Sequence, residues 1–276
     1  MLKRTLTAIV AIPIAYFLIR AGGSFFTAGV LVLAFVGWYE FRQMMLTKGY
    51  QVYYLTSCLA VLTLILAAGL QKSTLEIPIM TFSILGIMLE ALYHHRRGAW
   101  APEVALSSCA VLYIGLLFSH LILLRDLDLG TMVNSFFGPM QLGEAFLWTA
   151  LCGTWASDTF AYIFGVSFGK HGLLPSVSPK KSIEGAVAGF IGSVIVVYVM
   201  GTMWLGYSPN QVLGLAFVIA LFAPLGDLVE SLMKRSFAIK DSGNFFPGHG
   251  GVLDRFDSLL FVVPLAYYYI KYFMLD

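Results

Sequence analysis

The sequence predicts an all-α, polytopic integral membrane protein with about nine transmembrane helices. Hydrophobic residues make up 59% of the 276 residues and charged residues only 12%, whereas a soluble domain carries about 25% charged residues. The mean hydropathy is +0.82. A helix that crosses a bilayer needs about 20 mostly apolar residues, and runs of roughly that length recur along the chain. The net charge of +2 gives no indication of nucleic-acid binding.

Nine apolar segments follow one another in a single membrane-embedded domain, residues 1–276. They span 5–21, 23–40, 52–70, 76–93, 103–124, 141–165, 184–206, 209–229 and 257–274. Turn-forming residues separate several of them, as at Gly22-Gly23, Pro102, Gly138-Pro139 and Ser208-Pro209. Arg20 and a second apolar run follow the first segment, which indicates a retained helix rather than a cleaved signal peptide.

The distribution of basic residues predicts the orientation, because cytoplasmic loops of membrane proteins carry an excess of Lys and Arg. With a cytoplasmic N-terminus, 13 of the 17 Lys and Arg residues fall on the cytoplasmic side, among them Arg96 and Arg97. The four on the opposite side are Arg20, Lys72, Arg125 and Lys271. The two longest polar loops, 166–183 and 230–256, then face the cytoplasm and the C-terminus lies outside.

Charged residues concentrate at the end of the eighth segment and in the loop that follows it. Nine of the chain's Asp, Glu, Lys and Arg residues lie between positions 227 and 257: Asp227, Glu230, Lys234, Arg235, Lys240, Asp241, Asp254, Arg255 and Asp257. Charged side chains near lipid are costly and mark functional sites by default. The sequence therefore places the candidate site here.

Three acids of this cluster suit a magnesium site. Asp227 follows Pro224, and a proline weakens or breaks a helix locally. A continuing helix would instead put Asp227, Glu230, Ser231 and Lys234 on one face. Asp254 and Asp257 begin the last segment, where one of them can also act as an ordinary N-cap. Mg²⁺ takes one or two carboxylates together with phosphate oxygens.

The loop between these acids supplies the opposite charge. Lys234, Arg235, Lys240 and Arg255 can clamp phosphates, since Arg suits bidentate contact. The glycine-rich turn 247–251 exposes backbone N–H groups, as anion-binding loops do. A single turn of this kind is a weak indication, and a lone histidine such as His249 is more often structural than catalytic.

A second polar stretch, 158–185, contains Asp158 inside an apolar segment, followed by Lys170, Lys180 and Lys181. Residues 178–184 are typical of a loop that leads into a helix N-terminus, which favours anions. The alternative for the lysines is a simple positive anchor on the cytoplasmic side.

The pattern of the loop resembles that of the phosphatidate cytidylyltransferase (CDP-diacylglycerol synthase) family. It runs Ser231-x2-Lys234-Arg235-x4-Lys240-Asp241-x-Gly243-x2-Phe246-Pro247-x-His249-Gly250-Gly251-Val252-x-Asp254-Arg255-Phe256-Asp257. The stretch 158–185 is also similar to the family, whereas residues 1–140, the N-terminal helices, resemble it only in being membrane-spanning. Residues 141–276 are accordingly the expected catalytic half.

The resemblance implies that CTP and phosphatidate react to give CDP-diacylglycerol and pyrophosphate with Mg²⁺. It also allows K⁺ as a second cation, and implies a homodimer in a bacterial-type cytoplasmic membrane with a site facing the cytoplasm. On this basis the expected metal ligands are Asp227, Asp254, Asp257 and Asp158. The expected catalytic residues are Asp227, Lys234, Arg235, His249, Asp254 and Arg255. The expected substrate-binding residues are Lys170, Lys180, Lys181, Ser231, Lys240 and Asp241.

Two other functions compete with this one. A cation transporter would explain Asp158 and Asp227 within apolar segments next to an interrupted helix. It fits poorly with two lysine-bearing loops on one face, since transport needs access from both sides. A CDP-alcohol phosphotransferase would carry an Asp-Gly-x2-Ala-Arg motif, which this sequence lacks.

Overall fold

The computed structural model describes residues 2–94, 100–135 and 138–275. The described chain is mostly helical. Its α-helices are α1 (Leu2–Ala21), α2 (Gly23–Leu46), α3 (Tyr54–Gly69), α4 (Glu76–Tyr93), α5 (Trp100–Ala110), α6 (Leu117–Arg125), α7 (Leu142–Phe168), α8 (Ile183–Val199), α9 (Pro209–Ser236) and α10 (Leu253–Phe273). Arg96 and Arg97, which contribute to the predicted orientation, lie outside the described residues.

Short segments of other helix types extend or join these helices. A 3₁₀ turn, Ser73–Leu75, leads into α4, and a π-helical stretch, Val111–Leu116, joins α5 to α6. A second π-helical stretch, Met200–Trp204, extends α8. In the described residues, each of the nine predicted segments coincides with one continuous helical run.

Five helical runs in the described residues are long and apolar enough to cross a membrane. They are Gly23–Leu46, Ser73–Tyr93, Trp100–Arg125, Ile183–Trp204 and Pro209–Ser236. Two further apolar helices, Ile9–Ala21 and Tyr54–Gly69, are shorter. Several of these runs expose apolar side chains, such as Ile77, Phe82 and Met203, which suits helices whose outer faces meet lipid. The run Trp100–Arg125 is instead mostly buried inside the protein.

Two details of the predicted fold are wrong. The predicted polar loop begins too early, because α9 continues without interruption through Pro224 as far as Ser236. One missing backbone donor does not end this helix, whose neighbouring residues Ala223 and Gly226 are buried. The chain is also not purely helical. Two antiparallel hairpins occupy polar loops: β1 (Met132–Ser135) with β2 (Gly138–Gln141), and β3 (Gly172–Leu174) with β4 (Ser178–Ser182).

The chain divides into two compact units, and each is discontinuous in sequence. Unit 1 contains residues 1–123 and 234–255, and unit 2 contains residues 124–233 and 256–276. The core of unit 1 lies among α2, α3 and the π-helical stretch, around the fully buried Trp38, Leu64 and Ile114. Unit 1 thus combines the N-terminal helices with residues 237–254, which join α9 to the first turn of α10 and are called the glycine-rich loop.

Unit 2 is built around the close pairing of α7 and α8. Three glycines of α8 face α7, where a Cβ at Gly185 would overlap Ala161, one at Gly189 would overlap Ser157, and one at Gly192 would overlap Phe160. Small residues of this kind let helix backbones approach closely. This packing fixes β4, which leads directly into α8, beside the C-terminal part of α7.

Candidate active site

The predicted site residues belong to both units. Unit 1 contains Lys234, Arg235, Lys240, Asp241, His249, Asp254 and Arg255. Unit 2 contains Asp158, Lys170, Lys180, Lys181, Asp227, Ser231 and Asp257.

In unit 2 the structure brings together Lys181 of β4 and Asp227 of α9. The Lys181 ammonium lies 2.6 Å from Oδ2 of Asp227, and both side chains are about one-third exposed, at 27% and 31%. The ammonium makes an ion pair without the alignment of a hydrogen bond. One turn further along α9, the Ser231 hydroxyl donates to Oδ1 of Asp227 at 3.3 Å. The two polar stretches singled out from the sequence therefore meet at Asp227.

Helix α10 contributes Asp257 to the same unit. A Cβ at Gly226 would come within 2.5 Å of the Asp257 carbonyl oxygen and 2.9 Å of the Ser258 Cα. Glycine at 226 therefore allows the backbones of α9 and α10 to touch immediately before Asp227. The Asp257 carboxylate accepts a 2.6 Å hydrogen bond from the amide of Ser258.

The β3–β4 hairpin is held at the start of α8 by contacts that the sequence analysis did not identify. Ser182 caps α8 by accepting from the amide of Gly185 at 3.1 Å. Glu184 accepts from the amides of Lys170 and His171 at 3.1 and 3.3 Å, and Nδ1 of His171 lies 2.6 Å from its other oxygen. The hairpin thus gives Lys181 a fixed place.

The other predicted site residues of unit 2 near the hairpin are exposed. They are Lys170, which precedes β3, Lys180 on β4, and Asp158 within α7. Alternating strand residues face opposite sides, which accounts for the different surroundings of Lys180 and its neighbour Lys181.

In unit 1 the acid of the glycine-rich loop, Asp254, is enclosed by donors. Its Oδ1 accepts from the ammonium of Lys234 at 2.7 Å, and both side chains are buried, at 4% and 11% exposure. Its Oδ2 accepts from the amide of Ser242 at 2.8 Å, the hydroxyl of Ser242 at 3.0 Å and the amide of Gly251 at 2.8 Å. Asp254 therefore organises the loop.

These contacts keep Asp254 ionised at neutral pH. It precedes the predicted last membrane segment, 257–274. Burial raises the pKa of Asp254, but the hydrogen bonds from Lys234, Gly251 and Ser242 outweigh burial and hold that pKa below its usual range. Each carboxylate oxygen has about two lone-pair sites. Oδ1 accepts from Lys234 and so keeps room for one more partner, whereas Oδ2 is fully used.

A second buried acid, Glu40 of α2, meets the same loop. Its carboxylate accepts from the amides of Val252 and Leu253 at 2.9 and 3.1 Å, and from the hydroxyl of Ser242 at 3.1 Å. Glu40 was not among the site residues predicted from the sequence. Its position in the sequence could have identified it, because an isolated acidic residue inside an apolar segment is by default a candidate functional residue.

The backbone donors of the glycine-rich loop point towards the protein's own carboxylates. The loop was predicted to expose N–H groups to phosphate. Within that turn, the amide of Gly251 is bound by Asp254. The amides of Val252 and Leu253, which follow the turn, are bound by Glu40. The turn also uses positive φ angles at Gly248 and Gly250, 80° and 91°, where a side chain would be strained.

The outer face of this loop carries the cationic candidates. Arg235, Lys240, Asp241 and Arg255 are exposed, and His249 is half-buried. The backbone of His249 is fixed by a 2.8 Å hydrogen bond from its amide to the carbonyl of Phe246. A basic surface of this kind is open to polyanionic ligands.

The donor set suits a magnesium ion that shares its shell with a ligand. Among the described residues, no three His, Cys, Asp or Glu side chains gather closely enough to hold a metal alone. Mg²⁺ does not need such a cage, because it usually binds one or two carboxylates, several waters and substrate phosphates. Asp227 in unit 2, which is partly exposed, and Asp254 in unit 1 can each offer one carboxylate of this kind. The predicted ligand set stays a prediction.

Comparison with known proteins gives a consistent result over the whole chain. Residues 2–273 match the sequence profile of the Cytidylyltransferase family. A phosphatidate cytidylyltransferase from Staphylococcus haemolyticus is 35% identical over 267 residues, covering 95% of this chain and 96% of the relative. One from Bacillus subtilis is 32% identical over 283 residues, covering 99% and 98%. The similarity thus includes the N-terminal helices as well as the loop.

Proposed function

This chain belongs to the cytidylyltransferase family, and we propose that it is the membrane enzyme that transfers a cytidylyl group from CTP to phosphatidate. The observation that carries the proposal is the similarity to phosphatidate cytidylyltransferases along 95% or more of the chain. The products are CDP-diacylglycerol and pyrophosphate, which places the reaction in phospholipid biosynthesis. No comparable similarity supports the alternative function, cation transport.

The reaction is a substitution at phosphorus. A phosphate oxygen of phosphatidate attacks the α-phosphorus of CTP, a new P–O bond forms, and the bond from that phosphorus to the bridging oxygen breaks as pyrophosphate leaves. Negative charge is spread over the attacking and leaving oxygens, so catalysis depends on positioning and on cationic groups. No covalent enzyme intermediate is required.

The lysines of the two ion pairs are suited to this task. Lys181 and Lys234 each lie within 2.7 Å of a carboxylate oxygen, and an ammonium with three donors can contact a phosphate as well. We assign phosphate binding to them, together with the exposed candidates Lys170, Lys180, Lys240 and Arg235. Arg255 and His249 are assigned to organising the phosphates.

We assign Mg²⁺ to the carboxylates Asp227, Asp254 and Asp257, with Asp158 as a further candidate. When bound, the cation neutralises charge on the phosphate oxygens of the substrates. Asp227 is supported by its partial exposure and its ion pair, and Asp254 by the spare lone pair on Oδ1. Potassium as a second cation stays part of the proposal.

The proposed enzyme works at the cytoplasmic face of a cell membrane as a homodimer. The orientation rests on the 13 to 4 distribution of basic residues in the sequence. A site at that face gives one substrate access from the bilayer and the other from water. A carboxylate at a helix end, such as Asp254 in the first turn of α10, is suited to such a boundary.

The test is turnover by the purified protein in detergent. CTP labelled in the α-phosphate, phosphatidate and Mg²⁺ should yield a labelled lipid together with pyrophosphate, and EDTA should stop the reaction. Diacylglycerol in place of phosphatidate is the matched control, since it lacks the attacking phosphate. Ion flux in liposomes without formation of a cytidylyl lipid would instead favour a transporter.

A further inference from the structure

Helix α2 carries a buried carboxylate, Glu40, that is not among the residues assigned to Mg²⁺ or to the substrate phosphates. Glu40 is 4% exposed and lies within the apolar run Gly23–Leu46. A buried acid is costly unless it is well paired. Its two oxygens receive three hydrogen bonds, all from residues of the glycine-rich loop: two from backbone amides and one from a hydroxyl. Glu40 therefore joins an N-terminal helix to the loop that carries Asp254.

The hydroxyl of Ser242 links Glu40 directly to Asp254. Ser242 Oγ lies 3.1 Å from Oε2 of Glu40 and 3.0 Å from Oδ2 of Asp254. A hydroxyl carries a single proton, so the two carboxylates share one donor. A change in the charge or position of one acid is transmitted to the other through this single side chain.

The glycines of the loop are matched to the Glu40 side chain. A Cβ at Gly243 would overlap three atoms, all belonging to Glu40: Oε1, Cδ and Cγ. A Cβ at Gly251 would overlap both carboxylate oxygens of Glu40 and the hydroxyl of Ser242. Neither position has a positive φ angle that would require glycine. Room for the carboxylate is the physical reason for glycine at both sites.

We propose that Glu40 is a positioning residue of the active site, which acts through Ser242 and the amides of Val252 and Leu253 to hold Asp254 in its working geometry. This inference rests on the proposed function. It assigns a role in the reaction to the N-terminal half, which the sequence analysis treated only as membrane-spanning helices.

The first test measures kinetics of Glu40→Gln. The amide keeps the shape but gives one oxygen instead of two, so one loop amide loses its acceptor. Outer partners of metal-binding groups typically contribute about 10- to 100-fold in activity or metal affinity. We expect a loss of that size in kcat, a higher Mg²⁺ concentration at half-maximal rate, and a smaller change in KM for CTP.

Glu103→Gln is the matched control. Glu103 is also a buried acid of unit 1, 5% exposed, and it accepts from the amide of Gln51 at 3.1 Å and the hydroxyl of Tyr53 at 3.2 Å. It does not contact the glycine-rich loop in those hydrogen bonds. We expect Glu103→Gln to lower the melting temperature while leaving the Mg²⁺ requirement unchanged.

The second test needs no turnover and uses a double-mutant cycle on thermal melting. Gly243→Ala should lower the melting temperature in wild type, because its methyl group meets Glu40. Glu40→Ala removes those atoms. In that background, Gly243→Ala should therefore lower the melting temperature by less than half as much as it does in wild type. Glu40→Ser serves as the background if Glu40→Ala fails to fold.

The two tests separate the positioning role from the proposed function. Wild-type protein without cytidylyl transfer would overturn the function, while the melting cycle would still report on the contact between Glu40 and the loop. If Gly243→Ala lowered the melting temperature equally in both backgrounds, the contact between Glu40 and the glycine-rich loop would be ruled out. Wild-type kcat and Mg²⁺ response in Glu40→Gln would overturn the positioning role.

Discussion

The ammonium of Lys181 lies 2.6 Å from Oδ2 of Asp227 and thereby joins strand β4 to helix α9. The same relationship recurs in the other unit, where Lys234 lies 2.7 Å from Asp254. In both pairs the acid is one that we assign to Mg²⁺ and the lysine is one that we assign to phosphate. Each lysine therefore has two anionic partners in the proposed reaction, a carboxylate and a phosphate.

We expect Asp227→Asn to abolish turnover while leaving expression and membrane insertion normal. The substitution keeps the shape of the side chain but removes a ligand charge from the proposed magnesium site. Since loss of an outer partner alone costs about 10- to 100-fold, loss of this charge should exceed about 100-fold. Radiolabelled CTP turnover in detergent measures the effect.

Thermal melting across Mg²⁺ concentrations tests the cause of that loss. A cation that binds only the folded protein raises its stability in proportion to the logarithm of its concentration above Kd. Mg²⁺ should therefore stabilise wild type more than Asp227→Asn. Equal stabilisation of both proteins, or full activity of the variant, would rule out Asp227 as a ligand.

Lys181→Ala should impair the enzyme more than Lys180→Ala, although the two lysines are neighbours on β4. Lys181 contacts Asp227, whereas Lys180 is exposed. In the proposed reaction Lys181 also donates to a phosphate, and a hydrogen bond to a charged group contributes about 1.5–3 kcal/mol, which corresponds to roughly 10- to 150-fold in kcat/KM. Lys180→Ala should mainly raise KM for CTP. Equal effects of the two changes would contradict a specific role for Lys181.

The C-terminus should lie outside the cytoplasm if all nine helical runs cross the membrane. A reporter enzyme that is active only in the cytoplasm, fused after Asp276, should therefore be silent. The same reporter fused within the predicted cytoplasmic loop, for example after Lys48, is the positive control. Activity of the C-terminal fusion would mean that one helical run does not cross, and the shorter apolar helix α3 would be the first to examine.

The sequence predicted the helices well because long apolar runs are nearly sufficient to define them. Errors arose where local preference competes with packing. The predicted end of the eighth segment, residue 229, was wrong, because α9 continues through Pro224 to Ser236. The β3–β4 hairpin was missed because its strands contain only three and five residues, too few for an alternating pattern to stand out.

The candidate site shows a different limit of sequence analysis. The pattern from Ser231 to Asp257 gave the residue types, but not their partners. Glu40 is more than 200 positions away from Ser242 in sequence, and no local pattern links them. Likewise, Gly251 suggested phosphate binding, whereas its amide binds Asp254. The long-range contact of Glu40 depends on tertiary packing, whereas the contact between Gly251 and Asp254 is local and depends on the conformation of the turn.

The buried pair of Lys234 and Asp254 leads to the last prediction, which concerns stability. Removing one partner of a buried ion pair leaves an uncompensated charge and costs about 3–5 kcal/mol. Asp254→Asn removes the partner of Lys234, so we expect a marked fall in the melting temperature. The partly exposed pair at Asp227 should contribute only about 1 kcal/mol or less, which makes Asp227→Asn the matched control.

A double substitution separates the pair from the rest of the loop. Lys234→Met should destabilise the protein, since Asp254 then loses its cation. Combining Lys234→Met with Asp254→Asn removes both charges, and the combined loss should be smaller than the sum of the two single losses. Thermal melting of wild type, the two single variants and the double variant in one detergent gives the interaction energy between Lys234 and Asp254. Strictly additive losses of stability would show that Lys234 and Asp254 contribute independently. If Asp254→Asn lowered the melting temperature no more than Asp227→Asn does, burial would not strengthen the pair.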